Sequence, residues 1–385
     1  MVQKEGEDGL PLASPIVLVA PDKFKGSLSA REVCEAVEAG VLRSLPQARV
    51  QKVPLADGGD GSLDILEEVL GLERISLEVL DPLFRPIQAH FGLRGEEAYV
   101  ELALASGLPL LQASERHTLR TTTYGTGQLI REALGRGAKQ VYLLVGGSAT
   151  TDGGMGLAAG MGFQFRDRAG KTLRPMGANL GRIASVISPG ESWGEVEFIL
   201  VTDVQNQLLG PNGAAYQYGP QKGATLEELA VLEAGMTHFA QLTQQRTGIP
   251  VKNIPGSGAA GGVALVVCGW LGGTIRPGID SLLQEVGFAD MLATADLVIT
   301  GEGKMDAQTL QGKVVHGVAR AASATGVPVW AVCGRNDLSP EEIQSLGLAA
   351  VSCLSRADLS AEYCMNHAAV LLEERTVELL LYRWV

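Results

Sequence analysis

The order of elements at the two ends of the chain constrains this fold most. Near the start, the apolar run 16–20 leads into a polar loop and then a helix from about Ser29, with Ser29 and Glu32 at the spacing of a capping box. A second apolar stretch near 50–55 leads into Asp57-Gly58-Gly59-Asp60-Gly61-Ser62 and a further helix through Leu70. The same grammar returns only towards the other end. There, 296–300 reads as a buried strand, 301–306 as a polar loop, and a helix starts near Val314. A strand over 328–333, a fifth over 349–354 and a final helix over 361–381 follow. Strand, polar loop and helix in succession mark a parallel sheet with helical crossovers. Pooling both ends predicts an α/β protein. Its Rossmann-like parallel-sheet domain is built from residues 1–75 and 285–385. The inserted second α/β domain, 76–284, has a mixed sheet, since the short alternating runs over 77–104 suit antiparallel pairing.

Length and composition narrow the function. At 385 residues, 46% hydrophobic and 19% charged, the chain can bury two ordinary cores. A formal net charge of −12 without a Lys/Arg run argues against nucleic acid or an anionic membrane as partner. No apolar segment reaches the roughly 20 residues of a membrane span. Five cysteines without C-x-x-C spacing read as reduced core thiols. The first fifteen residues are polar and acidic, without the apolar centre of a signal peptide, so the expected location is the cytoplasm. Homo-oligomerisation is left open.

The 49 glycines gather in a few clusters, and the densest is GGSATTDGG, 146–154, directly after the apolar run 141–145. Gly146, Gly147, Gly153 and Gly154 free the backbone to turn several N–H groups towards one point. Ser148, Thr150 and Thr151 add hydroxyls, and Asp152 adds a hard oxygen able to hold Mg²⁺ directly or through water. A helix is expected over 156–162, its positive end facing the same spot. Such a loop suits a phosphate, although a tight turn built for packing reads similarly.

Three strand ends carry an acid: Asp22, Asp57 and Glu302. Asp60 and Asp306 follow in the same loops, with Lys23, Lys25 and Lys304 nearby. Ligands of open parallel sheets sit beyond the carboxyl ends of the strands. Each acid alone could be a cap or a turn former; together with lysines they suit metal-assisted phosphoryl transfer. Asp203 ends the apolar stretch 198–201 and is placed to ligate metal or accept a proton from a hydroxyl. Lys222 and Lys313 read equally as anion partners or as surface turn lysines. Gly256-x-Gly258-x-x-Gly261 matches the dinucleotide fingerprint by letter, but no strand precedes it. It keeps a nicotinamide-dependent oxidoreductase acting on a small hydroxy acid as an alternative, beside a non-catalytic acid-binding kinase relative.

Taken in order, APDKFKGSLSA (20–30), PLADGGDGS (54–62), TTTYGTGQLI (121–130), GGSATTDGG, TDVQN (202–206), GPQKGA (219–224), PGSGAAGG and ITGEGKMDAQTLQGK (299–313) resemble the blocks of the class II glycerate kinases, the glycerate 2-kinase family. The chain departs from that pattern at Thr151, where the family usually carries Asn, and at Gln207, where it carries Pro. The resemblance implies ATP-dependent phosphorylation of D-glycerate to 2-phosphoglycerate with Mg²⁺, in a cleft between two domains. Within it, Lys23 or Lys25 is expected to hold the glycerate carboxylate. Asp203, with Asp22 as runner-up, is expected to position or deprotonate the attacking hydroxyl. Mg²⁺ is expected among Asp57, Glu302 and Asp306. The ATP phosphates are expected on Gly146, Gly147, Ser148, Thr150, Asp152, Gly153 and Gly154, with Lys222.

Overall fold

Apolar runs from both chain ends pair into one all-parallel sheet, ordered Ala350–Cys353, Val329–Asn336, Leu297–Met305, Ile16–Val19 and Arg49–Lys52. This order was obtained from a computed structural model that describes residues 14–56, 58–59, 61–190 and 193–383. The strands occur in chain order 2-1-3-4-5, the doubly wound arrangement whose order reverses between the first strand and the third. That reversal lies between Ile16–Val19 and Leu297–Met305, two strands paired across 280 positions of sequence. The helix Ala30–Ser44 has the expected Ser29–Glu32 capping box. It buries Val33, Val37 and Val41 in a core shared with Leu297, Ile299 and Trp330. The sheet and this core belong to a unit formed by 1–57 and 282–385.

The second unit is continuous, 58–281. Its six-stranded sheet runs Thr274–Arg276, Glu197–Val201, Gln140–Leu144, Glu97–Glu101, Pro86–Arg94, Glu73–Leu80. The first four are mutually parallel. The last two continue antiparallel, as the alternating pattern requires. A separate hairpin pairs Gln164–Arg166 with Ser185–Ile187. The fold is therefore α/β with one parallel and one mixed sheet.

Four expectations need correction. The first domain boundary falls at 57/58 instead of 75/76, because the helix Ser62–Leu70 packs on the strands Pro86–Arg94 and Glu97–Glu101 of the second unit. The return falls at 281/282, three residues early. The polar segment 301–305 is not a loop. It extends the strand Leu297–Met305, and Glu302 pairs with Cys333 while Lys304 pairs with Arg335. Glycines allow that extension: a Cβ at Gly301 would lie 2.1 Å from Val332 O, and one at Gly334 would lie 2.4 Å from Gly303 O. The final helix is two, Ala361–Asn366 and Ala368–Arg383, separated at His367. Among the described residues no helix is long and apolar enough to cross a membrane.

Candidate active site

In the unit 58–281, four parallel strands end on one edge, and the loops that follow them carry most of the chemistry. Gly58 and Gly59 lie against this edge. Gly146 N donates to Gly58 O at 3.2 Å. A Cβ at Gly146 would lie 2.3 Å from Gly59 Cα, so only glycine meeting glycine lets these two loops touch. A Cβ at Gly58 would lie 3.5 Å from Val201 Cγ1 and 3.9 Å from Gly278 Cα. Asp203 follows Val201 by two residues, and its Oδ1 accepts from Gly278 N at 2.7 Å and Ile279 N at 3.4 Å. The ends of three strands and the 58–59 turn thus share one neighbourhood. Asp203 thereby caps the start of the helix Gly278–Glu285.

The GGSATTDGG segment divides in two. Gly146 and Gly147 are half-buried, whereas 148–154 are buried. Asp152 is 0% exposed and saturated with donors. Its Oδ2 accepts from Thr123 N at 2.8 Å, Thr123 Oγ1 at 2.9 Å and Gly156 N at 3.1 Å, and its Oδ1 from Gly154 N at 3.1 Å. Burial pushes its pKa up, and these donors pull against that. Asp152 is therefore an internal cap for the short helix Met155–Gly160, not a ligand-facing oxygen. Gly153 N donates to Gly261 O at 3.0 Å and Gly154 N to Asp152, which removes both from a phosphate cradle. Thr150 is wholly buried, with no hydrogen-bond partner for Oγ1 among the described residues.

Lys222 is neither a surface lysine nor an open anion contact. It is 2% exposed. Its Nζ donates to Ser148 Oγ at 2.8 Å and to Thr150 O at 2.7 Å. Burial lowers its pKa to about 7, opposed by the Asp152 charge. A lysine reaching 74 residues back pins the loop from beneath. The half-buried head Gly146–Gly147 is what remains for a ligand, with the buried Ser148 hydroxyl held by Lys222 behind it.

The other unit carries its own set at its sheet's order reversal. Asp22 N donates to Gly301 O at 2.8 Å, so the loop after Ile16–Val19 rests directly on Leu297–Met305. Asp22 Oδ1 accepts from Lys23 N at 2.7 Å. A Cβ at Gly303 would lie 3.2 Å from Phe24 Cα and from Lys25 N, so this loop stays close to the strand beyond Glu302. Asp22, at 7% exposed, and Glu302, at 4%, therefore meet on one edge. Glu302 Oε1 accepts from Thr309 Oγ1 at 2.7 Å, and Lys313 Nζ stands 3.9 Å from its Oε2. Lys23 is half-buried and Lys25 exposed.

Asp306 is less open than expected. Its Oδ2 pairs with Lys304 at 3.0 Å and its Oδ1 accepts from Gln308 N at 2.9 Å. Partial burial opposes its ionisation, but the Lys304 ammonium and the Gln308 N–H more than offset this and hold its pKa down. Both oxygens being engaged, Asp306 does not fit a metal ligand. Asp57, the third expected ligand, lies outside the described residues. Among the described residues, the trio of ligand atoms close enough to share one ion is Asp64, Glu67 and His90. Arg74 already sits on its two carboxylates.

The family model described as the glycerate kinase family matches residues 17–383. The chain belongs to the glycerate kinase family. The glycerate kinase of Bacillus subtilis (strain 168) is 38% identical over 361 residues, 93% of this chain and 94% of that one. The glycerate 2-kinase of Escherichia coli (strain K12) is 36% identical over 323 residues, 83% of this chain and 84% of that one. A crystal structure described as glycerate kinase 2 from Salmonella typhimurium LT2 superposes with a TM-score of 0.84 at 34% identity, covering 96% of this chain and 98% of that one.

In this chain the letter match to a dinucleotide fingerprint has a packing explanation. A Cβ at Gly258 would lie 2.3 Å from Gln207 O, and one at Gly261 would lie 2.2 Å from Thr150 O. The segment holds one short 3-10 turn, Ala259–Gly261, and what precedes it is another such turn, Val251–Asn253, not a strand. It locks against the back of the 150–154 segment, so the oxidoreductase alternative loses its footing. Sequence reasoning missed Glu101, whose two oxygens accept from Gly61 N and Leu63 N at 2.9 Å each and cap the start of the helix Ser62–Leu70. Its position at the end of the strand Glu97–Glu101 was the available signal. Thr123 was also missed. Its hydroxyl relays Asp152 to Leu157 N at 2.7 Å, and the run of three threonines was the clue.

Proposed function

We propose that the protein phosphorylates D-glycerate at its 2-hydroxyl with ATP, giving 2-phosphoglycerate. The observation that carries this reading is the meeting of Gly58–Gly59, Gly146–Gly147 and Asp203 on one strand-end edge. Backbone free of side chains lets phosphate oxygens approach N–H groups closely, and a carboxylate beside them can take the proton of an attacking hydroxyl. Phosphoryl transfer asks for positioning and charge neutralisation more than covalent chemistry. Membership of the family and the likeness to a protein named glycerate 2-kinase support the choice of substrate and of hydroxyl.

In this reading Asp203 positions and deprotonates the hydroxyl, and the backbone at Gly147 receives the nucleotide phosphates, with Gly146 clearing the approach by its missing side chain while its own N–H stays on Gly58 O, and Ser148 supporting the loop from behind. Lys23 or Lys25 pairs with the glycerate carboxylate, and Asp22 orients that loop. Asp152 and Lys222 act beneath the phosphate loop and hold its shape. Glu302, a buried carboxylate at the end of its strand, would hold a hard divalent cation in place of its present contacts with Thr309 Oγ1 and Lys313 Nζ; Asp57 joins it on sequence alone. Bound Mg²⁺ would supply neutralisation of charge on the transferring phosphoryl group.

The test is incubation with ATP, Mg²⁺ and D-glycerate, with the phosphorylated position read by phosphorus NMR. A 2-phosphate is expected; a 3-phosphate would overturn the regiochemistry, and no phosphoglycerate at all would reject the activity. Asp203→Asn should lower turnover by at least about 100-fold, on the scale of a positioned base. Near-normal turnover in a folded Asp203→Asn protein would leave that residue with its capping role alone.

A further inference from the structure

Cys333 and Cys353 occupy directly paired positions on the neighbouring parallel strands Val329–Asn336 and Ala350–Cys353. Their Sγ atoms lie 3.3 Å apart. Adjacent strands run about 4.8 Å apart, inside the Cα–Cα range of about 4.4–6.8 Å that a disulfide bridges. A bond of about 2.05 Å is then reachable by side-chain rotation with both strands in register. The other cysteines are differently placed. Cys34 and Cys364 lie near the backbone carbonyls of Val19 and Leu354, at 3.8 Å and 3.7 Å. Burial pushes Cys34 up to about 12 and Cys268 up to about 11, which leaves both inert as nucleophiles.

We propose that Cys333 and Cys353 form a reversible redox-modification site, oxidised to an internal disulfide by thiol–disulfide exchange with a small-molecule or protein disulfide. Cys353 is the attacking thiol, being half-buried while Cys333 is fully buried. A hydrogen bond from the Cys333 thiol, with help from the Arg375 charge, favours the Cys353 thiolate. That thiolate attacks one sulfur of R–S–S–R, forming Cys353–S–S–R and releasing RS⁻, which takes up a proton. Cys333 then gives up its proton, attacks the Cys353 sulfur and expels the second RS⁻, protonated in turn. Two protein thiols are oxidised, and one external disulfide is reduced to two thiols. A dithiol reductant runs the sequence backwards. The site is next to the reacting edge in sequence register, since Cys333 pairs with Glu302 on its other side. Its chemistry does not depend on which substrate is phosphorylated.

The experiment is exposure of the folded, full-length protein to oxidised glutathione, read by thiol titration, intact mass and peptide mapping. The expected result is loss of two of the five thiols, a mass lower by two hydrogens, a 333–353 cross-link, and recovery of both thiols with dithiothreitol. Cys353→Ser and Cys333→Ser should each abolish the cross-link, and Cys364→Ser should retain it. An unchanged thiol count, a lasting glutathione adduct on Cys353, or a cross-link between other cysteines would overturn the proposal.

Discussion

The ammonium of Lys222 is held by Ser148 Oγ and Thr150 O almost out of reach of water. With its pKa moved from the ordinary 10.5 to about 7, the native protein loses this proton near neutrality while the unfolded chain keeps it. The unfolded state then binds more protons between those two values, so stability rises with pH across the window and the gain is absent below it. The limit is about 1.4 kcal/mol per pH unit. Lys222→Met should flatten that slope, measured as urea midpoints between neutral pH and about pH 9. Equal slopes in both proteins would mean that Lys222 titrates like an exposed lysine. The residue was legible in the sequence as chemically notable, but not as internal. A Gly-Pro-Gln-Lys-Gly turn carries no mark of the partners 72 and 74 residues away that bury it.

The strand Glu97–Glu101 and the helix Ser62–Leu70 are joined end to end by one carboxylate. Gly61 at the helix N-cap is left-handed and offers no side chain, so Glu101 supplies both acceptors from another element. Glu101→Ala leaves the buried Leu63 N–H without this partner and should cost about 1–3 kcal/mol, read by urea unfolding. A change below about 0.5 kcal/mol, the usual range for surface substitutions, would mean that the start of the helix Ser62–Leu70 holds without it. Elements of this kind were partly legible. The capping box at Ser29 lies within four consecutive residues and was found, whereas the Glu101 cap spans 40 positions and was not. Likewise the strand through Glu302 looked like a loop, because its glycines and charges suit a turn in isolation. Cross-strand glycines at 301 and 334 make it a strand.

At the scale of the whole chain, each unit has its own buried apolar cluster among the described residues. One gathers Phe91, Leu129, Met155, Leu200 and Phe239; the other gathers Val17, Val33, Leu297, Trp330 and Leu372. The continuous unit closes its own six-stranded sheet and its own core, so residues 58–281 produced alone should fold and unfold cooperatively. Far-UV circular dichroism and a sigmoidal urea transition would show it, and a non-cooperative, molten fragment would count against an autonomous core. The unit 1–57 and 282–385 has no such continuous fragment, because its central pairing joins Val17 to Leu297.

The sequence by itself determined the α/β class, the sharing of one sheet by both chain ends and the strands of that sheet, but not most helices of the inserted unit, Leu226–Thr247 among them. The features it determined depend on periodicity, caps and turn residues, which act over a few positions. It also marked the glycine-and-acid segments as the places where chemistry concentrates. Only the tertiary structure decided which of those groups face outward. Asp152, Lys222 and seven of the nine residues of GGSATTDGG turned inward, because buried donors and acceptors had to be satisfied by partners distant in sequence. Gly58, Gly146 and Asp203 came together at one edge because parallel strands end there. Long-range pairing and backbone close approach leave no local trace, and that is where the sequence stopped.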